Sequence, residues 1–350
     1  MGLFVWFKSL KVGIDGRELS ILICLLFVTS LTTVTEAQDI HFSQYLSSPF
    51  NLNPALAGDF KGDYRITANY RNQWKSITVP YKTYGLSGDM TNLAGIRNLS
   101  SGLSVYSDET GDSRMNTLIV QMAGSYGYPL TADSSQSLYL GIMPAIVRQQ
   151  FNYTSLNFDR QYDNQTGLHD PGISSGEADG KPALTYFNLS AGLRWNFTIS
   201  PRHRIDAGFA IYNLTNSNKY YLQDARSSQR RYNVHANYQI NVWKKIDIIP
   251  GVLYTEQGQN KSTVFGSSLR YLYNSNTAFH CGLWNRNKDA AFFTFGLTYQ
   301  TLYVGLSYDV NTSKLNQSSS GRGAYELSLI YVIRKFKPNR GKYLSCPNYL

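Results

Sequence analysis

Strict alternation of apolar and polar residues recurs along most of this chain and constrains the fold more than any other feature. In YRITANYR, residues 64–71, every second side chain is apolar or aromatic, and those between are polar: Arg65, Thr67, Asn69 and Arg71. The same pattern returns at residues 187–197 and 231–242. Since successive side chains of a β-strand point to opposite faces, each stretch predicts a strand with one apolar and one polar face.

Continued along the sequence, the alternation predicts fourteen strands and an all-β chain. The strands are expected to start near residues 63, 82, 99, 117, 137, 184, 203, 231, 246, 262, 277, 290, 301 and 323. Each is about 8–12 residues long, a length that suffices for a tilted strand to cross a bilayer. No helical periodicity of similar quality competes with this pattern.

The connections between the predicted strands separate two architectures, a soluble sandwich with apolar faces inward and a membrane barrel with apolar faces outward. Long connections around residues 151–183, 215–230 and 310–322 alternate with short ones such as SPR, KK and NSN. Outer-membrane barrels have short periplasmic turns and long outer loops. The sequence therefore predicts a transmembrane antiparallel β-barrel over residues 63–335, in the bacterial outer membrane, with both termini in the periplasm.

The first 37 residues have the organisation of a secretory signal peptide. Basic residues precede an apolar run at residues 19–28, and Thr35-Glu36-Ala37 offers a small-x-small cleavage site. Cleavage there makes Gln38 the first residue of the mature chain. Cys24 lies inside the apolar run without a small residue before it, which argues against a lipid-modified cysteine.

Composition supports a membrane location and argues against nucleic-acid binding. Phe, Trp and Tyr make up 14% of the chain, including 27 Tyr, and aromatic side chains with one polar end favour the membrane–water interface. The formal net charge is +10, but Lys and Arg are scattered and form no basic block. Basic residues do cluster in the tail, residues 336–350, which is expected to be periplasmic and is a candidate docking site for a periplasmic partner.

Residues 38–62 precede the first predicted strand and are too apolar for a solvated tail. A barrel of fourteen strands is wider than its wall side chains can fill, so the lumen is either open or blocked by another part of the chain. We expect this segment to be a plug or lid at the periplasmic mouth, and the alternative is docking to a periplasmic partner. Five side chains are expected to cover apolar surface: Phe42, Tyr45, Leu46, Phe50 and Leu52. Four polar ones are expected to pair with Arg65, Arg71 and Arg194 of the wall: Ser43, Gln44, Asn51 and Asn53.

Possible catalytic residues are few. GISSG at residues 172–176 matches a nucleophile pattern that requires a strand-to-helix turn, but here it lies in a Gly- and Ser-rich connection. His235 and His280 are expected to face the lumen, where a Ser–His pair could support hydrolysis. With five histidines and no Ser–His–acid grouping, the sequence predicts a protein that is not an enzyme and needs no cofactor.

Metal and disulfide sites are also weakly indicated. Asp159, Asp163, Asn164 and Asp170 could supply oxygen ligands to calcium, but their spacing matches no defined calcium loop. A solvated acidic loop is the simpler interpretation. Cys281 is expected to face lipid in mid-strand, so a disulfide with Cys346 of the tail is not predicted.

Several motifs in this order resemble the PorP/SprF family of outer-membrane proteins associated with type IX secretion. They are SQY (residues 43–45), NPALAG (53–58), YRNQW (70–74), the stretch SYDVNTSKLNQSSSGRGAYELSLIY (307–331) and a terminal CP (346–347). Within them, the residues we single out are Ser43, Gln44, Tyr45, Asn53, Pro54, Gly58, Tyr70, Arg71, Asn72, Gln73, Trp74, Asp309, Gly321, Arg322, Gly323 and Glu326. Ordinary roles in barrel strands and turns would also account for the later motifs.

The resemblance implies a function as well as a fold. Family members support the export and surface anchoring of large adhesin-like proteins that carry a type B C-terminal sorting domain, often in gliding bacteria. The implied partners are such a cargo protein, periplasmic and lipoprotein components of the secretion machinery, and outer-membrane lipid. The alternative reading is a passive channel for a small solute.

Overall fold

The computed structural model describes residues 39–73, 79–110, 115–150, 159–162, 168–170, 172–173, 183–215, 218–220, 225–313 and 321–335. The predicted leader, the basic tail and most of the connection between residues 151 and 182 lie outside these ranges. Two statements about the sequence therefore stay predictions, the cleavage after Ala37 and the role of the tail.

Almost all regular structure in the described residues is β-strand. The strands are β1 (Tyr64–Gln73), β2 (Tyr81–Met90), β3 (Leu99–Thr110), β4 (Met115–Pro129), β5 (Gln136–Gln150), β6 (Ala183–Ser200), β7 (His203–Tyr212), β8 (Asn218–Tyr220), β9 (Ala225–Ser227), β10 (Arg231–Trp243), β11 (Ile246–Gln257), β12 (Asn260–Leu272), β13 (Thr277–Arg286), β14 (Ala290–Tyr299), β15 (Leu302–Asn311) and β16 (Arg322–Ile333).

Helical structure is confined to single turns. The described residues contain one short α-helix, α1 (Pro49–Leu52), and 3-10 turns at Tyr45–Ser47, Pro54–Leu56, Leu93–Gly95 and Asp159–Gln161. None of these helices is a candidate for crossing a membrane.

Fourteen of the described strands form one closed antiparallel barrel, which confirms the predicted fold. Strands that follow one another in the chain are paired, except that β7 pairs with β10. The strand β1 pairs with β16 to close the cylinder, with Tyr64 opposite Ile333 and Gln73 opposite Ala324. The strands β8 and β9 form a separate hairpin between β7 and β10. All predicted strand starts lie within two residues of the observed ones.

The barrel is apolar outside and polar inside, the reverse of a soluble barrel. In β1, Arg65, Thr67, Asn69 and Arg71 are buried, whereas Ile66 is 45% exposed. Large apolar side chains such as Leu86, Ile142 and Phe295 are 57–60% exposed on the outer surface. Such an outer surface is expected for strands that face lipid, and it follows directly from the alternation in the sequence.

Exposed tyrosine and tryptophan side chains of the barrel strands concentrate towards the two ends of the barrel. Towards the short-turn end lie Tyr128, Trp243, Tyr273, Tyr299 and Tyr331. Towards the opposite end lie Tyr84, Tyr308 and Tyr325. Two aromatic girdles flanking an apolar band are typical of transmembrane barrels, because these amphipathic rings fit the membrane–water interface.

The sorting of connections by length is less strict than the sequence predicted. The long connections 151–182, 213–230 and 312–321 do share one end, which we call the long-connection end. At that same end, however, β11 and β12 are joined by residues 258–259 and β13 and β14 by residues 287–289. Gly258 has φ +58° and Lys288 has φ +62°, the left-handed backbone that tight turns between antiparallel strands require.

Residues 39–62 run through the barrel, and we call them the luminal segment. Its first residue, Asp39, lies at the long-connection end, where Asn213 Nδ2 donates to its carboxylate at 3.0 Å and its own amide donates to Gln257 Oε1 at 2.9 Å. At the other end of the segment, Asp63 N donates to Ile333 O at 2.9 Å, at the short-turn end. The segment therefore traverses the lumen before β1 begins.

This path corrects one expectation. The segment was predicted to start at the periplasmic mouth, which the sequence analysis placed at the short-turn end. That both termini lie in the periplasm stays a prediction, because the termini themselves are outside the described residues. In the structure, Asp39 and Lys335, the first and last described residues, lie at opposite ends of the barrel. The physical reason is that the lumen offers partners along its whole height to a segment whose main chain needs them.

Candidate functional site

The luminal segment is compact because its sequence favours consecutive turns. Pro49 and Pro54 each occupy the first turn of a short helix, where a missing N–H has no cost. Asn53 lies between these turns, and its Oδ1 accepts a hydrogen bond from Ala55 N at 2.9 Å, as a helix cap does. Gly58 has φ +78°, a conformation that favours glycine and reverses the chain towards β1.

Five buried residues from distant parts of the sequence meet near the long-connection end, and we call them the seam cluster: Ser43, Arg71, Arg286, Asp309 and Glu326. Ser43 Oγ lies at their centre. It donates to Asp309 Oδ2 at 2.7 Å and accepts from the guanidinium groups of Arg71 at 2.8 Å and Arg286 at 2.6 Å. One small hydroxyl thus links the luminal segment to three strands of the wall.

Glu326 binds the main chain of the luminal segment. Its Oε1 accepts the amide of Ser43 at 2.6 Å, and its Oε2 accepts the amide of Gln44 at 2.9 Å. The same carboxylate forms an ion pair with Arg71 on the adjacent strand β1. Hydrogen bonds that involve a charged group are about twice as strong as neutral ones, so this arrangement fixes the segment firmly.

The seam cluster combines two arginines with two acids, Asp309 and Glu326. Arg71 is 2% exposed and Glu326 is 1% exposed, so the charges are removed from bulk water and need close partners. Arg71 bridges both acids, with Asp309 Oδ2 at 3.2 Å from its second terminal nitrogen. The balanced charge explains how this many ionised groups can be buried together.

Asn53 is fully buried and ties the middle of the segment to the wall. Its Nδ2 donates to the main-chain oxygens of Leu193 at 3.0 Å and Phe209 at 3.3 Å, on the paired strands β6 and β7. The expectation that Asn53 pairs with an arginine is therefore wrong. A side-chain amide carries both a donor and an acceptor, so it can cap its own turn and bridge two carbonyls at once.

A second ionic cluster holds the end of the segment near the short turns. Asp59 Oδ1 lies 2.8 Å from terminal nitrogens of both Arg194 and Arg204. Arg65 binds the carboxylate of Asp89 through two nitrogens, at 2.9 Å and 2.7 Å. Arg65 and Arg194 thus bind carboxylates. From the sequence they were expected to pair with four uncharged residues of the segment, namely Ser43, Gln44, Asn51 and Asn53.

Apolar contacts also hold the luminal segment against the barrel wall. Tyr45, Leu52 and Leu56 pack against four wall residues: Leu253, Val264, Trp284 and Phe292. The rings of Tyr45 and Trp284 meet edge to face, with centroids 5.5 Å apart. Phe42, Phe50 and Leu52 are also buried, but Leu46 is 46% exposed, contrary to expectation. The 3-10 turn Tyr45–Ser47 has about three residues per turn, so it directs Leu46 away from the side that packs.

The other described residues of the YRNQW motif lie beside Arg71 on β1. Tyr70 faces outward, and its ring lies 5.0 Å from that of Tyr84 and 5.9 Å from that of Tyr325. Asn72 donates to the hydroxyl of Tyr70 at 3.1 Å, and Gln73 Oε1 accepts from Arg71 at 3.2 Å. Trp74 lies outside the described residues.

The last long connection returns to the barrel through a glycine-rich turn. Gly321 has φ +76°, and Arg322 begins β16 with its side chain exposed. A Cβ on Gly323 would lie 2.5 Å from the main-chain oxygen of Asp309, so only glycine fits beside that residue of the seam cluster.

Arg286 is the main luminal residue that the sequence analysis missed. It contributes to the seam cluster from the last position of β13. Strand alternation does predict that Arg286 faces the lumen, because it has the same parity as His280 and Trp284, which face the lumen. Parity alone, however, does not indicate that the luminal segment reaches this height.

The described residues that were considered as catalytic groups, metal ligands or disulfide partners do not form a common site. His235 is 1% exposed and faces the lumen 3.6 Å from Asp206, and His280 Nε2 lies 2.9 Å from Thr298 Oγ1. Ser174 of the GISSG stretch lies outside the described residues, as do Asp163, Asn164 and Cys346. Cys281 is a free, exposed cysteine, and the described His, Cys, Asp and Glu residues form no group suited to a metal ion.

Comparison with known proteins agrees with the fold. The CymD monoaromatic hydrocarbon channel has a TM-score of 0.50 at 9% identity and covers 83% of this chain and 93% of its own. The Ralstonia pickettii toluene transporter TbuX has a TM-score of 0.48 at 11% identity and covers 81% and 92%. At such identities the likeness concerns the fold alone. No curated relative matches the sequence.

The family assignment rests on the sequence itself. The family described as "Type IX secretion system membrane protein PorP/SprF" matches residues 34–331, which include the luminal segment, the seam cluster and nearly the whole barrel. Together with the closed barrel and its apolar outer surface, this match identifies an outer-membrane protein. The chain belongs to the PorP/SprF family of type IX secretion system membrane proteins.

Proposed function

We propose that this protein is a closed outer-membrane scaffold that supports export and surface anchoring of a large adhesin-like cargo through the cargo's C-terminal sorting domain. The observation that carries this proposal is the occupied lumen. The luminal segment runs between the two ends of the barrel and is tied to its wall at both. A barrel held closed in this way is suited to anchoring other proteins rather than to passing solutes.

The long connections are the proposed recognition surface for the cargo. Loops carried by a rigid scaffold are the usual place for binding function. Three of them share one end of the barrel, spanning residues 151–182, 213–230 and 312–321, and this end is proposed to face the outside of the cell. The basic tail, residues 336–350, is proposed to contact a periplasmic or lipoprotein component of the secretion machinery.

Shortening the connections tests this function. Residues 151–182, 216–224 and 314–320 are each replaced by a short turn, and surface retention of a reporter fused to the cargo's sorting domain is measured by flow cytometry. Retention is expected to fall severalfold in at least one variant while the barrel stays at its normal level in the outer membrane. Replacement of residues 130–135, at the opposite end, is the control and should change nothing. Unchanged retention in all three variants would contradict the proposal.

A channel for a small solute remains the rival function, and conductance distinguishes the two. The purified protein in planar bilayers is expected to conduct little, because the luminal segment occupies the pore. Removal of residues 38–56 should raise the conductance of those barrels that assemble. A high and steady conductance of the intact protein would favour the channel.

A further inference from the structure

The wall of the barrel binds the main chain of the luminal segment, and two of its carboxylates bind amides. Glu326 accepts the amides of Ser43 and Gln44. Asp89 accepts the amide of Gly58 at 2.8 Å. These bonds do not depend on the side chains that the segment carries.

Main-chain oxygens of the segment are bound in the same way, by donors from wall side chains. Arg231 donates to the oxygen of Ile40 at 3.1 Å, and Asn69 donates to that of Ser47 at 3.0 Å. The further oxygens bound by wall side chains are those of Phe50, Asn51, Leu52, Ala55, Leu56 and Asp59. In peptide recognition by proteins, hydrogen bonds to the main chain supply affinity, and pockets for side chains supply specificity.

Glycines of the wall make room for the segment. A Cβ on Gly141 would lie 2.4 Å from the main-chain nitrogen of Ala55, and one on Gly102 would lie 2.3 Å from the ring of Phe50. Further wall glycines at which a Cβ would approach the segment within 3 Å are Gly192, Gly208, Gly251 and Gly305. Glycine in a strand often marks the close approach of another backbone, so these positions outline a groove shaped for a peptide.

From this pattern we infer that the lumen is a peptide-binding site and that the luminal segment is its resident, exchangeable ligand. The inference goes beyond the proposed anchoring function, because it assigns a polypeptide ligand to the lumen and not to the long connections. The ligand class is a compact peptide without acidic or basic side chains between Phe42 and Gly58, with aromatic side chains, carboxamide side chains or main chain against the wall glycines. The same stretch supplied as a separate molecule is expected to occupy the lumen.

The inference can be tested on the full chain. A protease site is inserted between Lys61 and Gly62, the purified protein is cleaved in detergent, and urea is raised until mass spectrometry shows that the fragment has left. After dilution, a fluorescent peptide of residues 39–59 is added and its anisotropy is followed. Saturable binding is expected, and a tenfold or greater loss of affinity is expected for a peptide N-methylated at Ser43 and Gln44.

Two controls separate main-chain recognition from unspecific binding. A peptide N-methylated at Leu46 should bind normally, because no wall acceptor for that amide is found among the described residues. A Glu326→Gln barrel should bind the unmodified peptide more weakly than the unchanged barrel does. Equal binding of the peptide methylated at Ser43 and Gln44 would overturn the inference. So would an emptied barrel that takes up no peptide, or a fragment that does not leave before the barrel unfolds. Cargo retention is independent of these readouts, so this inference and the anchoring function can fail separately.

Discussion

Arg71 of β1 and Glu326 of β16 are directly opposite each other and form an ion pair across the seam at which the barrel closes. The same carboxylate also holds the luminal segment through the amides of Ser43 and Gln44. One buried carboxylate, that of Glu326, therefore contributes both to closing the barrel and to holding the luminal segment in place.

Replacing Glu326 with Gln should destabilise the barrel strongly. Removal of one member of a buried ion pair costs about 3–5 kcal/mol when the other charge is left unpaired, and because Arg71 keeps Asp309 as a partner the cost here is expected near the lower end of that range. The loss is expected as a lower temperature for conversion between the folded and unfolded bands in heat-modifiability gels. Glu256→Gln is the matched control, because Glu256 pairs with Lys261 on the exposed surface, where such pairs contribute little. Equal behaviour of the two variants would show that the seam pair is unimportant.

Gly141→Ala should displace the luminal segment. The added Cβ would lie 2.4 Å from the main-chain nitrogen of Ala55, and a main-chain atom cannot move aside as a flexible side chain can. Overpacking of this kind costs about 1–3 kcal/mol. Faster hydrogen exchange in residues 50–58 is the expected result. Gly124→Ala on the neighbouring strand is the control, since a Cβ there meets nothing within 4 Å. Unchanged exchange at residues 50–58 would mean that the segment is not seated as described.

Substitutions of Asn53 should separate its two roles. Asn53→Ser keeps an oxygen that can cap the turn at Ala55 but loses the bridge to Leu193 and Phe209. Asn53→Ala loses both roles. A cap contributes about 1 kcal/mol, and a bridge to buried acceptors contributes about 0.5–1.5 kcal/mol for each bond. Protease sensitivity of the segment should therefore rise in the order wild type, serine variant, alanine variant. Equal sensitivity of the two variants would assign the effect to the bridge alone.

Labelling of single cysteines should reveal the direction in which the segment crosses the membrane. In a background with Cys281 and Cys346 replaced by alanine, Asp39→Cys places a thiol at the long-connection end, and Lys335→Cys places one at the short-turn end. If the long connections face outward, a membrane-impermeant maleimide should label only the first variant in intact cells. Both should be labelled after lysis, and labelling of only the second variant in intact cells would reverse the proposed orientation.

Much of the fold could be predicted from the sequence because alternation is a local property. Each strand start was predicted to within two residues, and Arg65, Thr67, Asn69 and Arg71 are buried on one side of β1 as their parity indicated. Connection lengths were less informative. The turn at residues 258–259 is short although it lies at the long-connection end, since a glycine with positive φ is enough to join two long strands there.

The candidate site was only partly predictable. The sequence indicated Ser43, Arg71, Asp309 and Glu326 as separate motif residues, and the structure brings them together. It did not indicate Arg286, nor that Arg65 and Arg194 would bind carboxylates. Pairing partners in a lumen depend on the height of each residue along the barrel, and no local pattern encodes that height.

The sequence by itself determined which side chains face lipid and which face the lumen, because a strand assigns them by position alone. Only the tertiary structure decided that the luminal segment crosses the whole barrel and starts at the end opposite to the one expected. Its course is set by contacts between residues far apart in the chain, such as Ser43 with Glu326 and Asp59 with Arg204. Those contacts require strands that are distant in the chain to surround the segment, and no local pattern of residues specifies that arrangement.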